Sequence, residues 1–259
     1  KLVLSAIVLD KNLISRNRTI NCSGNYEFYD TNFRCWKEEG HGKTNLNKAL
    51  QQSCNIYFYN LIQMIDFELW SSEVKQFGFG QITNIDLNGE KSGIVPDRKY
   101  MNDLYKNRGG WSTGHLLNLS IGQGEIMVTP IQIVNLMNFI QNEGYAITPH
   151  LNKNVDVKKK IINYDKNVWK IIKQSMYDAV NKDKGTAYKA KINSELAKVY
   201  GKTGTAQICS NCDLLPHAWF AGFIEFKDKN YSSAIIIENG GKGSDLSSYI
   251  AGKIFKYIM

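Results

Sequence analysis

The residues best suited to chemistry in this chain are Lys202-Thr203-Gly204-Thr205, which interrupt a strand-like run at 196–208. The lysine supplies a positive charge and the threonines supply hydroxyl donors. A glycine inside a strand often marks a place where a ligand or another backbone approaches closely. We therefore expect this strand edge to bind an anionic peptide. A three-residue match alone is weak evidence for a site, so the interpretation depends on other residues.

A second candidate pair, Ser53 and Asn55, lies at a predicted junction between two helices. Residues 44–52 have a capping threonine and an apolar face, and an apolar-rich segment follows at 56–65. Serine and asparagine also cap helices, so capping of this junction explains the pair as well as catalysis does. Both interpretations stay open on the residues alone.

Four further residues have side chains that bind metals, with 12, 5 and 12 residues between them: Cys22, Cys35, His41 and Cys54. Three cysteines and one histidine are a common ligand set for a closed, tetrahedral structural zinc site. We predict zinc here, because the polar segment 19–43 needs an anchor. The alternative is a Cys22–Cys35 disulfide, with Cys54 as a buried free thiol and His41 hydrogen-bonded in a turn.

The remaining cysteines, Cys209 and Cys212, lie in a polar loop. They could form a disulfide, a metal clip or two free thiols, and a disulfide is slightly favoured. Five cysteines in 259 residues do not indicate a fold built on disulfides.

Periodicity and turn residues predict the elements that must position these side chains. Helices are expected at 2–9, 44–52, 56–65, 130–143, 167–181 and 246–258, and strands at 196–208, 218–226 and 231–238. Pro130 follows a capping threonine, and Gly144 ends the same helix. Helices in the middle of the chain and a β-meander near its end indicate a single α+β domain.

Composition excludes some function classes. A hydrophobic content of 43% supports a sizeable core. The net charge is +8, but the lysines are scattered and the tight cluster is Lys158-Lys159-Lys160, so we expect no nucleic acid partner. The apolar run 2–9 is too short to span a bilayer and no cleavage site follows it, so we expect no membrane span or targeting segment in this chain.

Ser53-Cys54-Asn55 and Lys202-Thr203-Gly204 resemble the second and third motifs of the active-site-serine, penicillin-binding enzymes. Other segments match in the same order: 36–42, 53–59, 77–80, 121–124 with 129–130, 185–187, 201–207 and 238–241. Over essentially its whole length the chain is similar to the transpeptidase domain of the penicillin-binding protein 2 family, the elongation-type class B enzymes.

The resemblance implies a β-lactamase/transpeptidase-like α+β fold, with a five-stranded antiparallel sheet flanked by helices and a helical subdomain, as one domain over 1–259. The first motif of the family, Ser-x-x-Lys, is missing. Aligned on the stretch 13–17, Lys1 falls on the motif lysine, and the nucleophilic serine would precede it by three residues. We therefore expect the chain to be truncated just after that serine and inactive as given.

The resemblance also implies roles at the matching positions. Lys1 would be the base that activates the serine, Ser53 would relay a proton towards the leaving amine, and Asn55 would bind the backbone amide of the substrate.

On the strand, Lys202 would stabilise the terminal carboxylate of the substrate and help to keep the base neutral. Thr203 and Thr205 would contact that carboxylate, and Gly204 would leave space for the acyl group. The backbone N–H of Thr205 would form half of an oxyanion hole.

The implied function is D,D-transpeptidation of peptidoglycan stem peptides through a serine acyl-enzyme, with β-lactams trapped at the same serine. Implied partners are peptidoglycan and a glycosyltransferase of the elongation machinery, with this domain in the periplasm as part of a protein anchored in the inner membrane. Catalysis needs no cofactor, and some family members carry a metal at positions matching the Cys/His set. The alternatives are a serine β-lactamase or D,D-carboxypeptidase on the same fold, and a non-catalytic β-lactam sensor.

Overall fold

The computed structural model describes residues 1–209 and 213–259, and the chain forms two compact units. The first unit comprises Lys1–Ala49 and Cys54–Thr129, and the second comprises Leu50–Ser53 and Pro130–Met259. The candidate pair therefore falls on both sides of a crossing, with Ser53 in the second unit and Asn55 in the first.

The first unit is mainly helical. Its helices are α1 Leu2–Asp10, α3 Asn55–Ile62, α4 Phe67–Gln76, α5 Arg98–Tyr105 and α6 Thr113–Ser120. The short helix α2 Leu46–Gln51 begins in this unit, and its last two residues belong to the second. Two small antiparallel ladders precede α2: β1 Ile20–Cys22 with β4 Gly42–Thr44, and β2 Asn25–Phe28 with β3 Thr31–Arg34.

Helix α3 forms the centre of the first unit, because its apolar side chains are buried on almost every side. Tyr57 and Phe58 have no exposed surface, and α6 and α1 pack against the helix. The contacts with α6 and α1 hold α3, which begins at Asn55. Helix α4 has Asp66 as its N-cap, and the side chain of Asp66 accepts hydrogen bonds from two backbone N–H groups of the first turn.

The second unit contains a three-stranded antiparallel sheet of order β7-β8-β9. Its elements are α7 Pro130–Gln141, β5 Tyr145–Ile147, β6 Lys159–Ile161, α8 Lys166–Asn181, β7 Ala197–Ala206, β8 His217–Phe226, β9 Lys229–Ile237 and α9 Leu246–Ile258. Helix α8 packs on β7, and α9 packs on β8.

The core of the second unit requires glycine at one point of β7. A side chain at Gly201 would come within 2.6 Å of the ring of Phe220, which fills the space above that strand. Val180 of α8 and Phe255 of α9 complete this core around Phe220. Strand β7 is therefore held from both sides along the residues that lead to Lys202.

The predicted helices and the three predicted strands are present, with ends shifted by a few residues. The five-stranded sheet is not confirmed: within residues 1–209 and 213–259 the largest sheet has three strands. The other strands are three or four residues long and pair in two-stranded ladders of their own. Within the same residues, no helix has both the length and the apolar character needed to cross a bilayer.

Candidate active site

Lys202 lies on β7 with only 8% of its surface exposed. Its Nζ donates one hydrogen bond to Ser53 Oγ at 2.8 Å and another to the carbonyl oxygen of Thr203 at 2.8 Å. A buried ammonium group needs such partners, because removing it from water is costly. The structure thus joins two sequence-predicted residues that are 149 positions apart in the chain.

Ser53 has a left-handed backbone conformation, with φ of +55°. This conformation is uncommon for a residue other than glycine and is strained. It ends α2 and lets the chain turn into α3. The N-cap of α3 is Cys54, which makes no side-chain cap hydrogen bond, so Asn55 does not cap that helix. The backbone N–H groups of Ser53 and Cys54 donate to the carbonyl oxygens of Leu50 and Ala49, so Ser53 closes the C-terminal end of α2, in agreement with the capping interpretation for that residue.

The two threonines of the strand motif each make a hydrogen bond through the side-chain hydroxyl. Thr203 Oγ1 donates to Thr186 Oγ1 at 3.0 Å, and Thr205 Oγ1 accepts from the backbone N–H of Gly243 at 3.2 Å. A side chain at Gly243 would approach the carbonyl oxygen of Gly204 to 2.0 Å, so only glycine fits there. The segment after β9 is therefore bound closely to the end of β7.

In the first unit, Lys1 Nζ donates to Asn55 Oδ1 at 2.7 Å and lies 5.5 Å from the centre of the Phe58 ring. Burial lowers the pKa of Lys1 to about 8, although the nearby Cys35 and Cys54 thiols act to raise it. A lysine with this pKa is partly neutral near physiological pH and can accept a proton.

The amide of Asn55 is oriented from both ends. Its Oδ1 accepts from Lys1, and its Nδ2 donates to the carbonyl oxygen of Arg34 at 3.2 Å. Because an amide has distinct donor and acceptor ends, these two contacts fix which end faces which neighbour.

The four metal-binding side chains predicted from the sequence come together in the first unit. The ligand atoms of Cys22, Cys35, His41 and Cys54, which we call the Cys/His cluster, all lie within 4.8 Å of one another, and all four residues are buried. The β1–β4 pairing places Cys22 opposite Gly42, next to His41. Cys54 joins the cluster as the residue that begins α3.

The cluster suits a tetrahedral metal site. Nδ1 of His41 lies 3.5 Å from Cys22 Sγ and 3.4 Å from Cys35 Sγ. Zinc bound to both ligand types would separate sulfur from nitrogen by about 3.6 Å, given ordinary bond lengths. Hydrogen bonds from Cys54 and His41 lower the pKa of the Cys35 thiol, whereas the same Cys35–Cys54 contact and burial raise the pKa of Cys54. Of these two residues, Cys35 is therefore the one that carries the thiolate.

All three cysteines of the cluster are free. The alternative Cys22–Cys35 disulfide is therefore wrong. The sulfur atoms of Cys22 and Cys35 are not bonded to each other, and each lies next to Nδ1 of His41. Cys209 is disulfide-bonded. Its predicted partner, Cys212, lies outside the described residues.

Sequence reasoning gave no role to Thr186 and did not single out Gly243. Thr186 lies in one of the segments that carried the family resemblance, 185–187, which was the available signal. No sequence pattern pointed to Gly243, since its contacts depend on how the segment after β9 meets β7.

Comparison with known proteins decides the family. The model of the penicillin-binding protein transpeptidase domain matches residues 1–259. The chain belongs to this transpeptidase family. The resemblance noted in the sequence is confirmed, and the β-lactamase/transpeptidase-like fold is confirmed with it.

Several transpeptidase relatives match nearly the whole chain. The peptidoglycan D,D-transpeptidase MrdA of Haemophilus influenzae is 31% identical over 274 residues, which cover 96% of this chain and 42% of that protein. The chain therefore spans less than half the length of this relative.

Two solved structures are similar in fold. Penicillin-binding protein 2 of Pseudomonas aeruginosa, in complex with WCK 5153, has a TM-score of 0.86 and 28% identity over 99% of this chain and 59% of that one. The complex of penicillin-binding protein 2 with MreC from Helicobacter pylori gives a TM-score of 0.81 and 31% identity, covering 98% of this chain and 49% of that one.

Proposed function

We propose that residues 1–259 act as one peptidoglycan D,D-transpeptidase domain that cross-links stem peptides through a serine acyl-enzyme and binds β-lactams. The observation that carries this proposal is the 2.8 Å hydrogen bond from Lys202 to Ser53, because it joins the two motifs that the family uses for proton transfer and carboxylate binding. The family match over the whole chain supports the same conclusion.

The nucleophile in this proposal is a serine three residues before Lys1, about one helical turn away. A serine hydroxyl is a weak nucleophile and needs an adjacent base. The lowered pKa of Lys1 suits that role, and Asn55 holds the Lys1 amine in place. Asn55 also binds the backbone amide of the substrate.

Ser53 relays the proton to the leaving amine. Its hydroxyl can both accept and donate, and Lys202 donates to it. The positive charge of Lys202 stabilises the terminal carboxylate of the stem peptide and favours the neutral form of the base.

The edge of β7 also binds the terminal carboxylate, the acyl group and the oxyanion. Thr203 and Thr205 contact the terminal carboxylate through their hydroxyl groups, and Gly204 leaves room for the acyl group. The backbone N–H of Thr205, together with that of the serine, stabilises the oxyanion. Loss of one such donor typically costs about 10²–10³ in rate.

In the reaction, the serine oxygen attacks the carbonyl carbon of the penultimate D-alanine and its proton passes to Lys1. The tetrahedral intermediate expels the terminal D-alanine, whose amine receives that proton from Lys1 through Ser53. The amine of a neighbouring stem peptide then attacks the ester and loses a proton to Lys1, which returns it to the serine oxygen as the cross-link forms and the serine leaves. No cofactor takes part in these steps.

We further propose that the Cys/His cluster binds one structural zinc ion. Zinc would supply a fixed cross-link between the β1–β4 ladder, the end of β3 and the start of α3. The buried, free thiols support this, as does His41 Nδ1, which lies within 3.5 Å of two sulfurs. Because Cys54 lies between Ser53 and Asn55, this cross-link would fix the start of the helix that carries Asn55.

A structural neighbour supports a partner for this domain. One structural neighbour is a complex of penicillin-binding protein 2 with MreC. We propose that this domain works with the elongation machinery, including a glycosyltransferase, on the periplasmic side of the inner membrane, within a membrane-anchored protein.

Covalent labelling with a fluorescent penicillin tests the function. A protein that carries this chain together with a serine three residues before Lys1 should be labelled at that serine, as located by peptide mass spectrometry. The same protein with that serine replaced by alanine should stay unlabelled. Absence of labelling in the serine-containing protein would contradict the proposal.

A second assay on the same protein separates a synthase from a hydrolase. A transpeptidase should release one equivalent of product from a chromogenic cephalosporin in a burst and then turn over slowly. Sustained turnover would indicate a β-lactamase instead, and any other residue at the serine position would indicate a sensor.

A further inference from the structure

The turn that carries Ser53 is attached to a loop far away in the sequence. Thr186 donates to the carbonyl oxygen of Gln51 through its backbone N–H at 3.1 Å and through its hydroxyl at 3.4 Å. The side chain of Gln51 donates in return to the carbonyl oxygen of Asp183 at 2.9 Å. Residues 132 and 135 positions apart thus hold the strained turn in place.

The same threonine also contacts the substrate-binding strand. Thr203 Oγ1 lies 3.0 Å from Thr186 Oγ1 and donates to it. The hydroxyl of Thr186 therefore lies between the carbonyl oxygen of Gln51 and the hydroxyl of Thr203. It connects the Ser53 turn to β7 independently of the bond between Lys202 and Ser53.

The position of Thr186 is itself fixed by the end of α8. A side chain at Gly185 would come within 2.2 Å of the carbonyl oxygen of Ala179, so the loop packs directly on the helix. The N–H of Ala187 donates to that same oxygen at 3.0 Å, and Ala187 is fully buried. Gly185 and Ala187 therefore fix the backbone on both sides of Thr186.

We propose that Thr186 is a positioning residue that sets the location of Ser53 against Lys202 and Thr203. This inference rests on the proposed function, since Ser53 and Thr203 act there on the substrate. A hydroxyl group can donate and accept. When Thr203 donates to a bound carboxylate, the hydroxyl hydrogen of Thr186 can rotate from Gln51 towards Thr203, because the backbone N–H of Thr186 still bonds to Gln51.

The test compares two variants in the serine-containing protein. Thr186→Val keeps the shape and the backbone N–H but removes the hydroxyl, whereas Thr186→Ser keeps the hydroxyl. The measured quantities are the acylation rate constant and the binding constant for a β-lactam, obtained by stopped-flow. We expect Thr186→Val to lower the acylation rate constant about tenfold, from two lost hydrogen bonds, and Thr186→Ser to stay within about twofold of the parent.

Thr148→Val is the matched control, because the hydroxyl of Thr148 also donates to a backbone carbonyl, that of Lys158, at 3.4 Å. It should leave acylation unchanged. If Thr186→Val only lowers the melting temperature and the labelled fraction, while the labelled fraction reacts at the parental rate, the positioning role is overturned.

Two other results are informative. If Thr186→Val does not fold, the smaller Thr186→Ala variant is measured in the same way, and a parental rate overturns the inference. If the unsubstituted protein is not acylated at all, the proposed function fails, and the inference fails with it.

Discussion

The role of Lys1 as the base predicts a specific pH dependence of acylation. Only the neutral amine can accept the serine proton, so the acylation rate should follow the neutral fraction of Lys1. With a pKa of about 8, that fraction is about 9% at pH 7, about 50% at pH 8 and about 90% at pH 9. The rate should therefore rise about tenfold from pH 7 to pH 9 and level off above it.

The pKa of Lys1 lies below the ordinary range of lysine because burial disfavours the charged amine. An unperturbed lysine, with a pKa of about 10.4, would give a rate that still rises about tenfold per pH unit at pH 9. A plateau near pH 9 is therefore evidence for the buried, shifted amine.

The assay is stopped-flow acylation by a β-lactam between pH 6 and 9.5, over the range in which circular dichroism shows an unchanged fold. Lys1→Arg should abolish the reaction, because arginine stays charged at these pH values. Lys99→Arg, at an exposed lysine paired with Asp103, should leave the profile unchanged. A rate that is flat or falls between pH 7 and 9 would refute the assignment of Lys1 as the base.

Two further predictions concern the surroundings of the site. Gly243→Ala should lower the second-order acylation constant at least about tenfold, because the new side chain would meet the carbonyl oxygen of Gly204 at 2.0 Å. Gly114→Ala, where the nearest atom lies at 3.4 Å, should be tolerated in the same assay. Purified protein should hold about one zinc per chain, and prolonged chelation should lower its melting temperature. The Cys22→Ser variant should melt at the same lowered temperature as the chelated parent, and the chelator should not lower it further. A zinc content well below one per chain in the parent would disprove the site.

The sequence predicted those parts of the fold that depend on local signals. Pro130 and Gly144 bound a helix through their own backbone preferences, and the apolar, β-branched runs at 196–208 and 218–226 form strands. The short ladders were not predicted. Strand β1 has three residues with a mixed burial pattern, so neither length nor periodicity distinguishes it from a loop.

The identity of the site residues could be predicted, but their contacts could not. Lysine, serine and cysteine types indicate the chemistry, whereas the bond between Lys202 and Ser53 depends on pairing across 149 positions. No local pattern predicts the left-handed conformation of Ser53, since glycine or asparagine is the usual residue there. The role inferred for Thr186 was missed for the same reason: its two partners, Gln51 and Thr203, are distant in sequence.

Three consecutive residues explain why this junction needs a strained backbone. Ser53 bonds to Lys202 in the second unit, Cys54 joins the Cys/His cluster, and Asn55 bonds to Lys1 in the first unit. Successive residues of one regular helix would project only 100° apart around a single axis. The left-handed conformation of Ser53 ends α2 and lets Cys54 begin a new helix. The strained conformation of Ser53 therefore allows three adjacent side chains to contact Lys202, the Cys/His cluster and Lys1.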